Sequence, residues 1–184
     1  IRSKFNSVKN KADINASAMF IFLNKMCFRG LYREGPNGFN VPFGHYKSFN
    51  IVDKQHLKDV STLIKDVNFE CMDFMESVGG EKHDNIKNGD FIYLDPPYAP
   101  ENAKSFVSYN KEGFPIKQHK KLFDIISDMV NKKSIKFVMS NSYVPLVIES
   151  FSDERFRIKK IIARRAINSK NPESIVNEVF VTNL

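Results

Sequence analysis

The sequence has no tryptophan and only two cysteines, Cys27 and Cys71, which form no CxxC pair and no Cys/His spacing. A zinc site and a disulfide framework are therefore not expected, and both cysteines should be small core residues of a reducing compartment. No apolar run approaches the roughly 20 residues needed to cross a bilayer, so a soluble protein with no membrane partner is expected. Internal repeats and low-complexity tracts are absent, and the composition excludes a fibrous, collagen-like or mainly disordered chain. Glycine is sparse, with eight residues and none spaced as G-x-G. The chain starts at Ile1 with no basic, apolar, small-residue leader, so neither a signal peptide nor a complete gene start is expected, and something upstream is expected to be missing.

What is present is a single domain's worth of chain, 184 residues with 42% hydrophobic and 27% charged residues. Seventeen Phe and six Tyr predict an aromatic core. Asn15-Ala16-Ser17 matches a glycosylation sequon, but it opens an amphipathic run where Asn or Ser is better placed to cap a helix.

The formal charge of +7 is unevenly spread. Residues 1–47 carry eight bases against Asp13 and Glu34, residues 48–94 carry nine acids against five bases, and residues 155–170 carry seven bases and no acid. Two basic regions flanking an acidic middle suit a polyanion gripped from two sides, although charge runs alone also describe solvated faces.

Apolar spacing predicts a mostly buried helix from Ala12 to Phe28, ended by Gly30. Residues 29–47, rich in Gly, Pro and aromatics at no fixed period, predict a structured loop or short hairpin able to carry recognition. Helices over Gln55–Asp66 and Met72–Val78 should flank a short strand, Asn68–Cys71. Further on, a helix at Ile116–Asn131, a strand at Ile135–Ser140, a helix at Tyr143–Ser150 and strands at Arg157–Ala163 and Glu178–Asn183 predict an α/β fold. Its sheet should be mostly parallel, with helices on both faces and a closing antiparallel pair.

Phe91-Ile92-Tyr93-Leu94 followed by Asp95-Pro96-Pro97-Tyr98 predicts a buried parallel strand that stops abruptly, with Asp95 to Tyr98 projecting where α/β sheets bind ligands. The exocyclic amine of adenine can attack an electrophilic methyl group only if its conjugated lone pair is freed, which needs acceptors on both of its hydrogens. Asp95 and the Pro96 carbonyl can be those acceptors, Pro97 helps to stiffen the turn, and Tyr98 offers a ring on which a base stacks. A cytosine amine could be held in the same way. The four residues also describe a proline-stopped strand with an incidental tyrosine.

The segments FLNKMCFRGLYREGPNGFNVPFGHYK at 22–47, FECMDF at 69–74, YLDPPYAP at 93–100, SFVSYNKEGF at 105–114, SNS at 140–142 and NEVFVTN at 177–183 together resemble the Dam-type DNA adenine-N6 methyltransferases. The resemblance implies a Rossmann-like methyltransferase sheet with a small, mainly helical DNA-recognition domain, divided into recognition (1–50) and the C-terminal part of the catalytic domain (51–184). It implies methyl transfer from S-adenosylmethionine to a flipped adenine in double-stranded DNA, in a cytoplasmic, nucleoid-associated or phage-encoded setting. Catalytic roles fall to Asp95, Pro96, Pro97 and Tyr98, and cofactor contacts to Asp73, Phe74 and Asp95. Arg33 matches a guanine reader. Leu31 and Pro42 match contacts to a thymine methyl, and Arg29, His45, Tyr46, Lys47, Arg164 and Arg165 complete the DNA-binding set. A GATC-like target is implied, although Arg29 and His45 replace the relatives' Asn and Arg.

The family's lysine motif and glycine-rich turn are not in the sequence. About the first third of a family chain is therefore expected to be missing. A part of a longer enzyme, half of a split enzyme completed by a second polypeptide, and a non-catalytic DNA-binding or structural relative are the three readings, and the intact Asp95 to Tyr98 segment favours an enzyme.

Overall fold

In the computed structural model, which describes residues 1–48, 50–79, 86–100, 114–164 and 175–184, the chain divides after Phe69 into units of residues Ile1–Phe69 and Glu70–Leu184. Helix α3, Lys54–Leu63, belongs to the first unit.

The first unit also holds helices α1 (Arg2–Ser7) and α2 (Ile14–Met26) and the hairpin β1 (Glu34–Gly35) with β2 (Gly38–Phe39). Asp13 caps α2, its carboxylate accepting from the backbone N–H groups of Asn15 (2.7 Å) and Ala16 (3.3 Å). The expected Asn or Ser cap is thus corrected, because the carboxylate one turn earlier meets the first orphan donors. The helix ends at Met26, and Gly30 follows in a separate 3-10 turn, Phe28–Gly30. The expectation of a mostly buried helix is also corrected: Ala16, Leu23 and Met26 are buried, while Ile14 and Phe20 are exposed. Among the described residues the core cluster of this unit is Phe5, Leu23, Cys27, Phe39 and Val41, with Met19, Phe28 and Leu31 packed against it, a small core that covers one stripe of a helix.

The second unit holds helices α4 (Phe74–Gly79), α5 (Ile116–Lys133) and α6 (Pro145–Ser150). Its sheet contains β3 (Phe91–Leu94), β4 (Lys136–Ser142), β5 (Arg157–Arg164) and β6 (Ile175–Thr182) in the order β3-β4-β6-β5. Only β3 with β4 is parallel; β6 pairs antiparallel with both β4 and β5. The described sheet is therefore mixed instead of mostly parallel, since β6 inserts between β4 and β5. Residues 68–71 form no strand, in contrast to the expectation. Cys71 is consequently exposed, whereas Cys27 is buried and burial raises its thiol pKa.

One face of the sheet is packed. Phe137 and Met139 of β4 and Val179 and Val181 of β6 bury against Leu122, Phe123, Ile126 and Met129 of α5 and Val147 of α6. Phe123, Phe137, Phe151 and Phe156 meet there at ring separations of 5.1–6.3 Å, an aromatic core as expected. The opposite face of β3 is open, with Phe91 and Tyr93 each 57% exposed. The buried strand expected there is thus a half-open edge strand, paired only with β4 among the described residues.

His119 lies on the apolar stripe of α5, fully buried between the rings of Phe114 (4.6 Å) and Phe123 (6.0 Å). Neither ring nitrogen has a hydrogen-bond partner among the described residues. Burial lowers its pKa from histidine's ordinary 6.5, so the unfolded chain takes up a proton at a pH where the folded chain does not. Stability should be fully present above pH 6.5 and fall as the pH drops below it. Thermal unfolding followed between pH 7.5 and 5 checks this, and His119→Leu should flatten the profile over that range.

Candidate active site

The parallel register sets Leu94 beside Met139, and the next position brings Asp95 beside Ser140. Ser140 Oγ donates to Asp95 Oδ1 at 2.7 Å and lies 3.4 Å from the Leu94 carbonyl, and Tyr93 Oη donates to Ser140 Oγ at 3.4 Å. Asp95 itself is exposed, so a carboxylate anchored through Oδ1 stands at the surface.

Pro96, Pro97 and Tyr98 are half-buried and Ala99 is buried. The Ala99 N–H donates to Asn141 Oδ1 at 2.8 Å, and Ser142 N–H donates to the same oxygen at 2.9 Å. Asn141 is fully buried and its Nδ2 has no partner among the described residues. β4 thus grips the Asp95 to Tyr98 segment at both ends, through Ser140 and Asn141. Burial raises the Tyr98 phenol pKa, a Ser140 hydrogen bond lowers it, and the nearby Glu178 and Asp95 charges add to the rise. The phenol therefore stays neutral at physiological pH.

Asp95, Pro96, Pro97 and Tyr98 form one continuous site with Ser140 and Asn141. In the sequence the latter pair stands out only as part of the Ser140-Asn141-Ser142 segment. Nothing in a Ser-Asn-Ser tripeptide announces a clamp until the parallel pairing lays it against the end of β3. Asp73 and Phe74 are placed differently. Asp73 caps α4, its Oδ1 accepting from Met75 N–H at 2.8 Å, and Phe74 packs on Phe114 at 5.4 Å, half-buried against the core that also holds Leu94 and Ala99.

In the first unit the 29–47 segment is a stitched hairpin, as the sequence suggested. Phe28 N–H donates to the Pro42 carbonyl and Gly44 N–H to that of Met26, both at 2.8 Å. Arg29 takes a left-handed backbone with φ 54°, and its N–H donates at 2.9 Å to the Tyr46 hydroxyl, which in turn donates to the Cys27 carbonyl at 3.3 Å. Tyr46 is thereby committed to holding the turn. Leu31 is half-buried against the small core, Pro42 and Lys47 are exposed, and His45 (φ 54°) rests its ring edge on Phe43 at 4.9 Å. Arg33 is exposed and hydrogen-bonded to Asn40. Arg164 ends β5, and Arg165, with residues 105–113 and most of the basic 164–176 loop, lies outside the described residues.

Residues 1–167 match the family of D12 class N6 adenine-specific DNA methyltransferases. The chain is 42% identical over 178 residues to the type II methyltransferase M.MjaIII of Methanocaldococcus jannaschii, covering 92% of this chain and 57% of that protein. It is 33% identical over 181 residues to the type II methyltransferase M1.LlaDCHI of Lactococcus lactis, covering 96% and 61%. It is 30% identical over 177 residues to the DNA adenine methylase of Haemophilus influenzae, covering 95% and 58%. The chain thus spans about three-fifths of the length of these relatives.

The clamp on the site can be tested without any ligand. Asn141→Ala strips the buried N–H groups of Ala99 and Ser142 of their shared acceptor, which should cost about 1–3 kcal/mol of stability. Urea unfolding checks this.

Proposed function

Because the chain belongs to the D12 class N6 adenine-specific DNA methyltransferase family, we propose that the protein transfers a methyl group to the exocyclic N6 amine of an adenine flipped out of duplex DNA, at a specific site. The observation that carries this reading is the exposed Asp95 carboxylate, anchored by Ser140 through Oδ1. A flipped amine has two N–H groups to offer. Asp95 Oδ2 accepts one and the Pro96 carbonyl the other, which turns the nitrogen lone pair out of conjugation toward the methyl group. As the N–C bond forms and the methyl donor's S–C bond breaks to leave a neutral thioether, positive charge passes to the amine, and the fixed carboxylate stabilises it until the proton is lost to water. The half-buried Tyr98 ring stacks on the base.

S-adenosylmethionine supplies the electrophilic methyl group in this reading. Asp73 and Phe74 are the residues proposed to hold its adenosine portion. Their chemistry fits, since an exposed carboxylate suits ribose hydroxyls and an aromatic ring suits a purine, and Phe74 is only half-buried. The open edge of β3 and the exposed Phe91 and Tyr93 support a Rossmann-like sheet completed by further polypeptide, an upstream segment or a second chain. The activity is proposed for the protein in that completed form.

Residues 1–50 are proposed as the target-recognition domain. Arg33 reads a guanine edge, Leu31 and Pro42 approach a thymine methyl, and Arg29, His45, Lys47, Arg164 and Arg165 meet phosphates, with Tyr46 holding the Arg29 turn. A GATC-like target follows from the family resemblance, and the basic character of residues 1–47 supports DNA as the partner.

Two measurements test the proposal. Asp95→Ala should abolish transfer of labelled methyl groups to duplex DNA while leaving DNA affinity within a few-fold; near wild-type turnover would place the active site elsewhere, and N4-methylcytosine in the digested product would replace adenine as the target. Arg33→Ala should cost roughly 1–3 kcal/mol on the preferred duplex and relax preference at one base pair, whereas Lys47→Ala should weaken binding to every duplex evenly and reduce the salt slope.

A further inference from the structure

Arg33 is an exposed arginine whose guanidinium is nevertheless held. Its Nε donates to Asn40 Oδ1 at 2.7 Å and its Nη2 lies 3.3 Å from the Asn40 carbonyl, while Asn40 N–H donates to the Arg33 carbonyl at 3.0 Å. The two residues face each other across the hairpin, one step beyond the Glu34↔Phe39 pair. A guanidinium has five donors in a planar fork, and these contacts use the inner edge. The other edge keeps one hydrogen each on Nη1 and Nη2, a parallel pair of donors of the geometry that meets two acceptors on one guanine.

The partner is itself positioned. A Cβ on Gly35 would stand 2.5 Å from Asn40 Nδ2, so the amide occupies the space a side chain at 35 would fill. Gly35 has no positive φ, so its glycine is required for room and not for backbone conformation. The strand beneath is fixed from its far edge by Asn6 of α1. Asn6 Nδ2 donates to the Asn37 and Phe39 carbonyls, each at 3.0 Å, and Asn6 Oδ1 accepts from Phe39 N–H at 2.9 Å.

We propose that Asn40, seated against Gly35, is a specificity-determining positioning residue that aims the outer edge of Arg33 at its base. This rests on Arg33 being a base reader. A free arginine loses rotamer freedom on binding any acceptor, phosphate or base, whereas one held at its inner edge is pre-organised for a planar pair of acceptors. Asn40 should therefore affect discrimination more than affinity for DNA in general.

The test measures discrimination, the ratio of affinities for the preferred duplex and for duplexes with the single relevant base pair changed, on the native protein, with melting temperature and salt slope followed alongside. Asn40→Ala should lower that ratio by roughly two- to tenfold with the other two quantities unchanged. Asn40→Asp, which keeps the acceptor, should preserve the ratio, Gly35→Ala should fall between, and Asn40→Ala added to Arg33→Ala should lower discrimination no further. In the free protein, the Arg33 Nε–H resonance should be protected from solvent exchange in the wild type and lose that protection in Asn40→Ala. Unchanged discrimination in Asn40→Ala, with a loss in Arg33→Ala, would overturn the positioning role and leave Arg33 as the reader. Unchanged discrimination in Arg33→Ala would remove the base reading and this proposal together, and an equal loss on every duplex in Asn40→Ala would make Asn40 a plain DNA contact and overturn the proposal.

Discussion

The parallel register between β3 and β4 determines where the carboxylate of Asp95 can be, because side chains alternate faces along a strand and a slip of one residue exchanges them. As paired, Ile92 and Leu94 turn toward the core with Phe137 and Met139, and Asp95 falls on the open face beside Ser140. Slipped by one, Asp95 would be driven against the aromatic core, where an unpaired carboxylate is strongly disfavoured. The apolar residues of β3 therefore hold the charged residue that follows them outside.

From that register the rest of the site is built by β4. Ser140 takes the carboxylate and Asn141 takes the backbone two residues beyond the prolines, so a segment with no secondary structure of its own is fixed at both ends. The two prolines remove backbone donors there, which leaves fewer internal hydrogen bonds for the segment and raises the weight of these side-chain anchors. A buried asparagine with a satisfied oxygen is worth keeping for this reason, even with its amide nitrogen lacking a described partner.

The first unit meets the same need with a smaller core. Its apolar centre is five residues, and its loops are held by side chains bonded to backbone: Asn6 on β2, Asn24 on the Gly30 carbonyl at 2.9 Å, Tyr46 on the Arg29 turn and Asp13 on the start of α2. Polar anchoring orders these loops while little apolar area is buried beneath them.

The helix and strand periods, the stop at Pro96 and the two basic regions were legible in the sequence, because each depends on near neighbours in the chain. So were the hairpin at 29–47 and the Asp95 to Tyr98 segment, through turn chemistry and the family resemblance. The antiparallel insertion of β6, the exposure of Cys71, the open face of β3, and the clamps made by Ser140, Asn141 and Asn40 were not. Each of these depends on which distant strand or residue lies alongside. Ser140 and Asp95 are 45 positions apart, and only the folded register makes them partners. Local chemistry thus determined the parts, and the pairing of strands decided which polar atoms meet, since a hydrogen bond depends on separations of tenths of an ångström that no spacing along the chain specifies.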